Sequence, residues 1–140
     1  MIDSQIILYK FIQINKNLDC ESISRKYNLS VNFIKEYQDK VDWYYISAHQ
    51  KLSENFIREF QNKVYWDCIS IYQKLSENFI REFQDKINWR DISIHKKLSE
   101  NFIREFHYKL DWHWIPIKQK ISKSFIYEFK NKIYWNKFKY

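Results

Sequence analysis

The sequence predicts an all-α protein, an α-solenoid of 23-residue repeats with two helices in each repeat. Three observations support this prediction. The decapeptide Lys-Leu-Ser-Glu-Asn-Phe-Ile-Arg-Glu-Phe occurs at 51–60, 74–83 and 97–106, always 23 residues apart. The chain contains no glycine and a single proline, which disfavours the turns of a β-rich fold. Apolar residues within each repeat recur at helical spacing.

Five consecutive units cover residues 17–131, and shorter segments lie at both ends. The predicted units are 17–39, 40–62, 63–85, 86–108 and 109–131. One unit has too few apolar side chains to fold alone, so neighbouring units must stack to bury the rest. We predict an N-terminal capping helix over 1–16 and a C-terminal half repeat over 132–140.

The second helix of each unit is well defined in the sequence, and we predict it over 52–64 in the second unit. Ser53 is the expected N-cap, because its hydroxyl can accept from the first-turn N–H groups. The equivalent serines are Ser30, Ser76, Ser99 and Ser122. The apolar stripe comprises Phe56, Ile57, Phe60 and Val64. The expected i,i+4 ion pairs are Glu54 with Arg58 and Glu59 with Lys63.

The first helix of the second unit should begin near Trp43, with Asp42 as its N-cap. Residues that fit the same capping role elsewhere are Asp19, Asn88 and Asp111. Pro116 stands where the other units have serine, and inside a helix it would remove a needed N–H. The sequence therefore predicts a broken or late-starting first helix in the fifth unit.

Six tryptophans raise the question of base stacking. Five of them recur at 23-residue intervals beside isoleucine, which favours core packing: Trp43, Trp66, Trp89, Trp112 and Trp135. Trp114 is out of register, so we expect it to be partly exposed.

The repeat pattern is Trp-x-x-Ile-Ser, then Leu-Ser-Glu-x-Phe-Ile-Arg-Glu-Phe, then Lys-Val-x-Trp. It resembles short helical repeats that are abundant in hypothetical proteins of giant DNA viruses of the mimivirus-like group. The resemblance covers 17–135, with departures at Cys20, Pro116 and Lys123-Ser124. It implies a viral origin and carries no activity or catalytic residue.

Composition excludes several kinds of chemistry. Phosphate-binding loops, nucleotide-binding turns, calcium loops and nucleophile elbows need glycine at fixed places. The four histidines lack the spacing of a zinc site. We therefore predict a protein that is not an enzyme and has no catalytic residue, metal or cofactor.

The chain lacks an apolar run long enough to span a bilayer, and Cys20 and Cys68 are expected to be reduced thiols. A cytoplasmic location is predicted, in the host cytoplasm if the protein is viral.

Function is expected where the repeats differ. Candidate partner-binding residues are Tyr44, Tyr45, His49, Asp67, Tyr72, Arg90, His95, His113, Trp114 and Lys118. Such mixed polar and aromatic positions favour a protein–protein interaction scaffold with a protein partner.

Two alternatives remain. Residues 118–140 hold seven lysines and one glutamate, a balance of +6 within the net charge of +7. Sequence-independent nucleic-acid binding would use Lys120, Lys123, Lys130, Lys132, Lys137 and Lys139. The second alternative is a self-assembling structural protein, a homo-oligomer formed through its terminal repeats.

Overall fold

The computed structural model of the chain describes residues 20–133, with side chains from Ser22 onward. Over these residues the chain forms ten short α-helices and no strand, which confirms the all-α class. The predicted capping helix at 1–16 and residues 134–140 of the half repeat lie outside the described residues.

Helices alternate between two types along the chain. The first helices of the repeats are α1 (Cys20–Lys26), α3 (Trp43–His49), α5 (Trp66–Tyr72), α7 (Trp89–His95) and α9 (Ile115–Lys118). The second helices are α2 (Val31–Glu36), α4 (Glu54–Glu59), α6 (Glu77–Glu82), α8 (Glu100–Glu105) and α10 (Lys123–Glu128).

The chain forms two compact units, Met1–Tyr65 and Trp66–Tyr140. In the first unit α1 packs against α3. In the second, α5 packs against α7 and α7 against α9. Within each unit, successive repeats therefore stack through their first helices, as in an α-solenoid.

Serine caps the second helices, as predicted. The Ser53 hydroxyl accepts a hydrogen bond from the Phe56 N–H at 3.2 Å. The same contact is made by Ser30, Ser76, Ser99 and Ser122. Each cap pairs one N–H of the first turn that has no partner within the helix.

The predicted extent of the second helix is wrong at its C-terminal end. Helix α4 ends at Glu59 and not at Val64, because Phe60 leaves helical geometry with φ −107° and ψ 26°. The Phe60 carbonyl then accepts from the Lys63 N–H at 2.8 Å and the Val64 N–H at 3.1 Å. This extra turn keeps Val64 buried while the chain leaves the helix axis.

Polar side chains cap two of the first helices, as predicted. Asp42 accepts from the Tyr44 and Tyr45 N–H groups at 2.8 and 3.4 Å. Asn88 accepts from the corresponding pair of N–H groups in α7.

The fifth repeat has the late-starting first helix that Pro116 predicts. Asp111 still accepts from the His113 N–H at 3.0 Å, but helix α9 begins only at Ile115. Pro116 is the second residue of that helix, where its missing N–H removes no intrahelical bond.

In the second to fifth repeats, a half-buried tryptophan packs against two phenylalanines. The Trp89 ring lies 4.9 Å from the Phe106 ring and 6.4 Å from the Phe102 ring, between centroids. Its indole N–H donates to the Gln84 carbonyl at 2.9 Å. Trp43, Trp66 and Trp112 pack in the same way on their own phenylalanine pairs. These four tryptophans pack on phenylalanine rings as predicted, but each is half-buried and lies at the edge of the core. Trp135 lies outside the described residues.

A buried serine hydroxyl links successive repeats from the second repeat to the fifth. Ser93 Oγ donates to the Trp89 carbonyl at 2.7 Å and accepts from the Asp111 N–H at 3.0 Å. Ser47 makes the same link to the Tyr65 N–H in the first unit, and Ser70 makes it to the Asn88 N–H in the second. The hydroxyl both donates and accepts, so alanine at this position would make neither bond.

Ion pairs also connect successive repeats. The predicted Glu59–Lys63 pair does not form, because Glu59 binds Lys35 at 2.6 Å and Lys63 binds Asp39 at 2.9 Å. Both observed pairs span 24 residues. The predicted Glu54–Arg58 pair is present at 3.8 Å.

Candidate interaction surface and lysine groove

Five side chains of the first unit form an aromatic cluster, defined as Arg25, Tyr44, Tyr45, His49 and Tyr65. The Arg25 guanidinium lies 4.3 Å from the Tyr45 ring centroid and donates to the Tyr45 hydroxyl. The His49 ring stacks on Tyr45 with centroids 5.5 Å apart. Tyr44 contacts Tyr45 and Tyr65 edge-on, at 5.5 and 5.7 Å.

The aromatic cluster is largely exposed. Tyr44 is 47% exposed and Tyr65 is 53% exposed. Three members were predicted from the sequence: Tyr44, Tyr45 and His49. Arg25 and Tyr65 were missed, because they belong to the preceding and following repeats and reach the cluster only through stacking.

The predicted residues of the second unit are spread over its surface. Asp67 accepts from the Asn88 amide at 3.2 Å, and Arg90 lies 4.0 Å from Asp111. The remaining predicted residues fall into two places. His113 and Lys118 contact the half-buried Trp114 ring, while Tyr72 and His95 line a groove. The partial exposure predicted for Trp114 is confirmed.

The predicted basic residues differ in their surroundings. Lys120, Lys123 and Lys130 are exposed. Lys132 instead lies 3.1 Å from His107 Nδ1 and 5.6 Å from the Trp112 ring centroid. Lysines at the equivalent repeat position cover Trp43, Trp66 and Trp89. The Lys132 ammonium therefore contributes to packing. Lys137 and Lys139 lie outside the described residues.

A glutamine at the end of the first helix joins neighbouring repeats. In the first unit, Gln50 Nε2 donates to the Ser24 and Tyr27 carbonyls, both at 2.8 Å. Its Oε1 accepts from the Leu29 N–H at 2.8 Å. In the second unit, Gln119 makes the same three bonds, and its Oε1 accepts from Leu98 N–H at 2.9 Å.

Lys96 takes the place of this glutamine in the fourth repeat. Its Nζ donates to the Ile71 carbonyl at 3.0 Å, and the residue is 9% exposed. An ammonium has no acceptor atom. Lys96 therefore cannot accept a hydrogen bond from the Leu75 N–H, as the glutamines accept from the Leu29 and Leu98 N–H groups. Within residues 20–133, the Leu75 N–H has no protein acceptor at hydrogen-bond distance.

These residues open onto a groove of about 500 Å³ in the second unit. We call it the lysine groove, and its lining includes Tyr72, Lys74, Leu75, His95, Lys96 and Lys97. It has no acidic lining residue. Burial lowers the pKa of Lys96 to about 8, with Asp91 acting in the opposite direction. The ammonium is thus mostly protonated at neutral pH despite its burial.

Within 20–133, no three His, Cys, Asp or Glu side chains are placed to hold a metal ion. Cys68 is a free, buried thiol whose pKa is raised by burial and then by Asp67. A thiol in that environment is a poor nucleophile.

Comparison with known proteins found no match. No family model, curated protein or solved structure matches the chain. Across the described residues, every helix is too short or too polar to cross a membrane.

Proposed function

We propose that the chain is a non-enzymatic protein-interaction scaffold whose contact surface includes the aromatic cluster of the first unit. The observation that supports this is a contiguous set of tyrosine rings. Arg25 and His49 stack on the half-buried Tyr45, and the exposed Tyr44 and Tyr65 rings extend from it through edge-on contacts. Interface hot spots are enriched in tyrosine and arginine. Tyrosine also contributes large contact area at low entropic cost, since it has few rotatable bonds.

The chemistry of the cluster suggests the kind of partner. Arg25 provides a guanidinium, and none of the five members carries a carboxylate. The tyrosine hydroxyls can donate or accept, while the rings offer apolar and π contacts. A partner segment with acidic and aromatic side chains would complement this surface.

Affinity capture with the purified chain tests the proposal. A Tyr44→Ala, Tyr45→Ala double variant should lose the main captured protein, and the purified pair should bind at least about tenfold more weakly. Tyr127→Ala is the matched control, because Tyr127 is 73% exposed and lies in the other unit. Circular dichroism would verify that both variants are folded. Equal affinity for the double variant and the wild type would contradict the proposal.

A second candidate function is nucleic-acid binding by the exposed lysines of the fifth repeat. Lys120, Lys123 and Lys130 are exposed, and Glu128 pairs with Arg104 at 2.9 Å. Fluorescence anisotropy with labelled DNA should then show sequence-independent binding that weakens steeply with salt. Changing these three lysines to glutamate should abolish it. Binding that persists in that variant would exclude this role.

A further inference from the structure

We propose that the lysine groove binds the oxyanion group, a carboxylate or a phosphate, of a small organic molecule between the Lys96 ammonium and the Leu75 N–H. This site lies in the second unit and does not depend on the interaction function proposed for the aromatic cluster.

In the second and fifth repeats, a glutamine side-chain oxygen accepts the backbone hydrogen bond at the equivalent position. Gln50 Oε1 lies 2.8 Å from the Leu29 nitrogen, and Gln119 Oε1 lies 2.9 Å from the Leu98 nitrogen. Leu75 is the equivalent residue of the third repeat, one 23-residue period before Leu98. Lys96 supplies only donors there, so its ammonium and the Leu75 N–H can both serve an external acceptor.

The surroundings of Lys96 favour an anionic acceptor over a neutral one. Lys96 is 9% exposed and donates one of its three N–H bonds to the Ile71 carbonyl. A charged donor in such a poorly solvated place forms its strongest hydrogen bonds with carboxylate or phosphate oxygens. Lys74, Lys97 and His95 also line the groove. Asp91 acts on the Lys96 charge from α7 and is not a lining residue.

The size of the groove indicates more than a bare inorganic ion. A volume of about 500 Å³ falls in the range of pockets that hold small organic ligands. Tyr72 lines it and is 61% exposed, so its ring is free to pack against an organic substituent. The oxyanion would be held near Lys96, and the rest of the molecule would lie along Tyr72.

Titration of the ¹⁵N-labelled chain followed by NMR tests this proposal. The probes are inorganic phosphate, phenyl phosphate, acetate and benzoate, each compared with chloride at equal ionic strength. We expect a saturable shift of the Leu75 amide resonance with at least one oxyanion and none with chloride. A lower dissociation constant for the phosphates than for the carboxylates identifies a phosphate ester as the ligand class. The opposite order identifies an organic acid.

Two variants decide whether the groove itself is responsible. Lys96→Gln installs the residue found in the second, third and fifth repeats, so the variant should fold and bind the oxyanion at least about tenfold more weakly. Lys120→Gln removes the same charge from an exposed position of the second unit that does not line the groove, and it should retain binding within about threefold. The absence of a saturable shift with every oxyanion, or an equal shift in Lys96→Gln, would overturn the proposal.

Discussion

The Arg81 guanidinium contacts the Glu105 carboxylate of the following repeat, with Nη2 and Oε2 2.8 Å apart and Nε also donating. The same guanidinium lies 5.0 Å from the Phe102 ring centroid. Arg104 repeats both contacts with Glu128 and Phe125, 23 residues later. An arginine on one second helix thus covers a buried ring of the next.

A double-mutant cycle of Arg81→Ala and Glu105→Ala should give a coupling free energy of about 0.2–1 kcal/mol. The expected value is small because both side chains are exposed to water, at 34% and 46%. Urea denaturation of the four proteins measures it, and added salt should reduce it. A coupling that is unchanged in high salt would show that charge is not its source.

Ser93→Ala should lower the free energy of unfolding by about 1–3 kcal/mol. The change leaves the Asp111 N–H without its acceptor in a partly buried place, beside a serine that is itself fully buried. Urea denaturation provides the measurement. Ser124→Ala is the control, since this serine is exposed and its loss should cost less than about 0.5 kcal/mol. Equal effects of the two substitutions would contradict the linking role of Ser93.

The carboxyl group of Glu100 should titrate below its ordinary pKa of 4.5. The Ser122 N–H, at 2.5 Å, is the main cause, followed by the Ser122 hydroxyl, and Arg104 acts in the same direction. A lowered folded-state pKa gives stability that is present above the unfolded value and is lost as pH falls through the folded value. Carbon-13 NMR titration checks the pKa. A value at or above 4.5 would show that the contact to Ser122 is absent in solution.

Lys96 should make the protein more stable as the pH rises from about 8 to 10.5. Its folded-state pKa is lowered to about 8 by burial, and the unfolded chain keeps the proton up to about 10.5. In that interval the unfolded state binds more protons, so unfolding becomes harder as pH rises. Denaturation of wild type and Lys96→Gln across this range measures the difference, which should shrink as pH increases. A constant difference would mean that Lys96 titrates normally.

Sequence patterns predicted the local features of this fold because those features depend on neighbouring residues. Ser53 and Asp42 were identifiable as caps from the residues that follow them, and Pro116 predicted the late start of α9. The end of α4 was not predicted. Residues up to Val64 continue the apolar stripe, but the Phe60 carbonyl accepts from Lys63 and Val64 in a separate turn.

Contacts between repeats were the features that sequence reasoning missed. Glu59 has a lysine four residues later, so the local rule favoured Lys63 over its actual partner Lys35. The lysine groove was missed for a related reason. Substitution of Lys96 for glutamine is visible in the sequence, but its meaning depends on the bonds that Gln50 and Gln119 make to the preceding repeat.

The serine links limit how this chain can change in length. Ser47 and Ser93 each reach a backbone N–H 18 residues ahead, and Gln50 and Gln119 each reach one 21 residues behind. A single-residue insertion between linked positions would displace both kinds of partner together. Duplication or deletion of a whole 23-residue segment would keep every linked pair at its original sequence separation. Length changes of whole repeats therefore preserve the bonds between repeats, whereas smaller insertions and deletions break them.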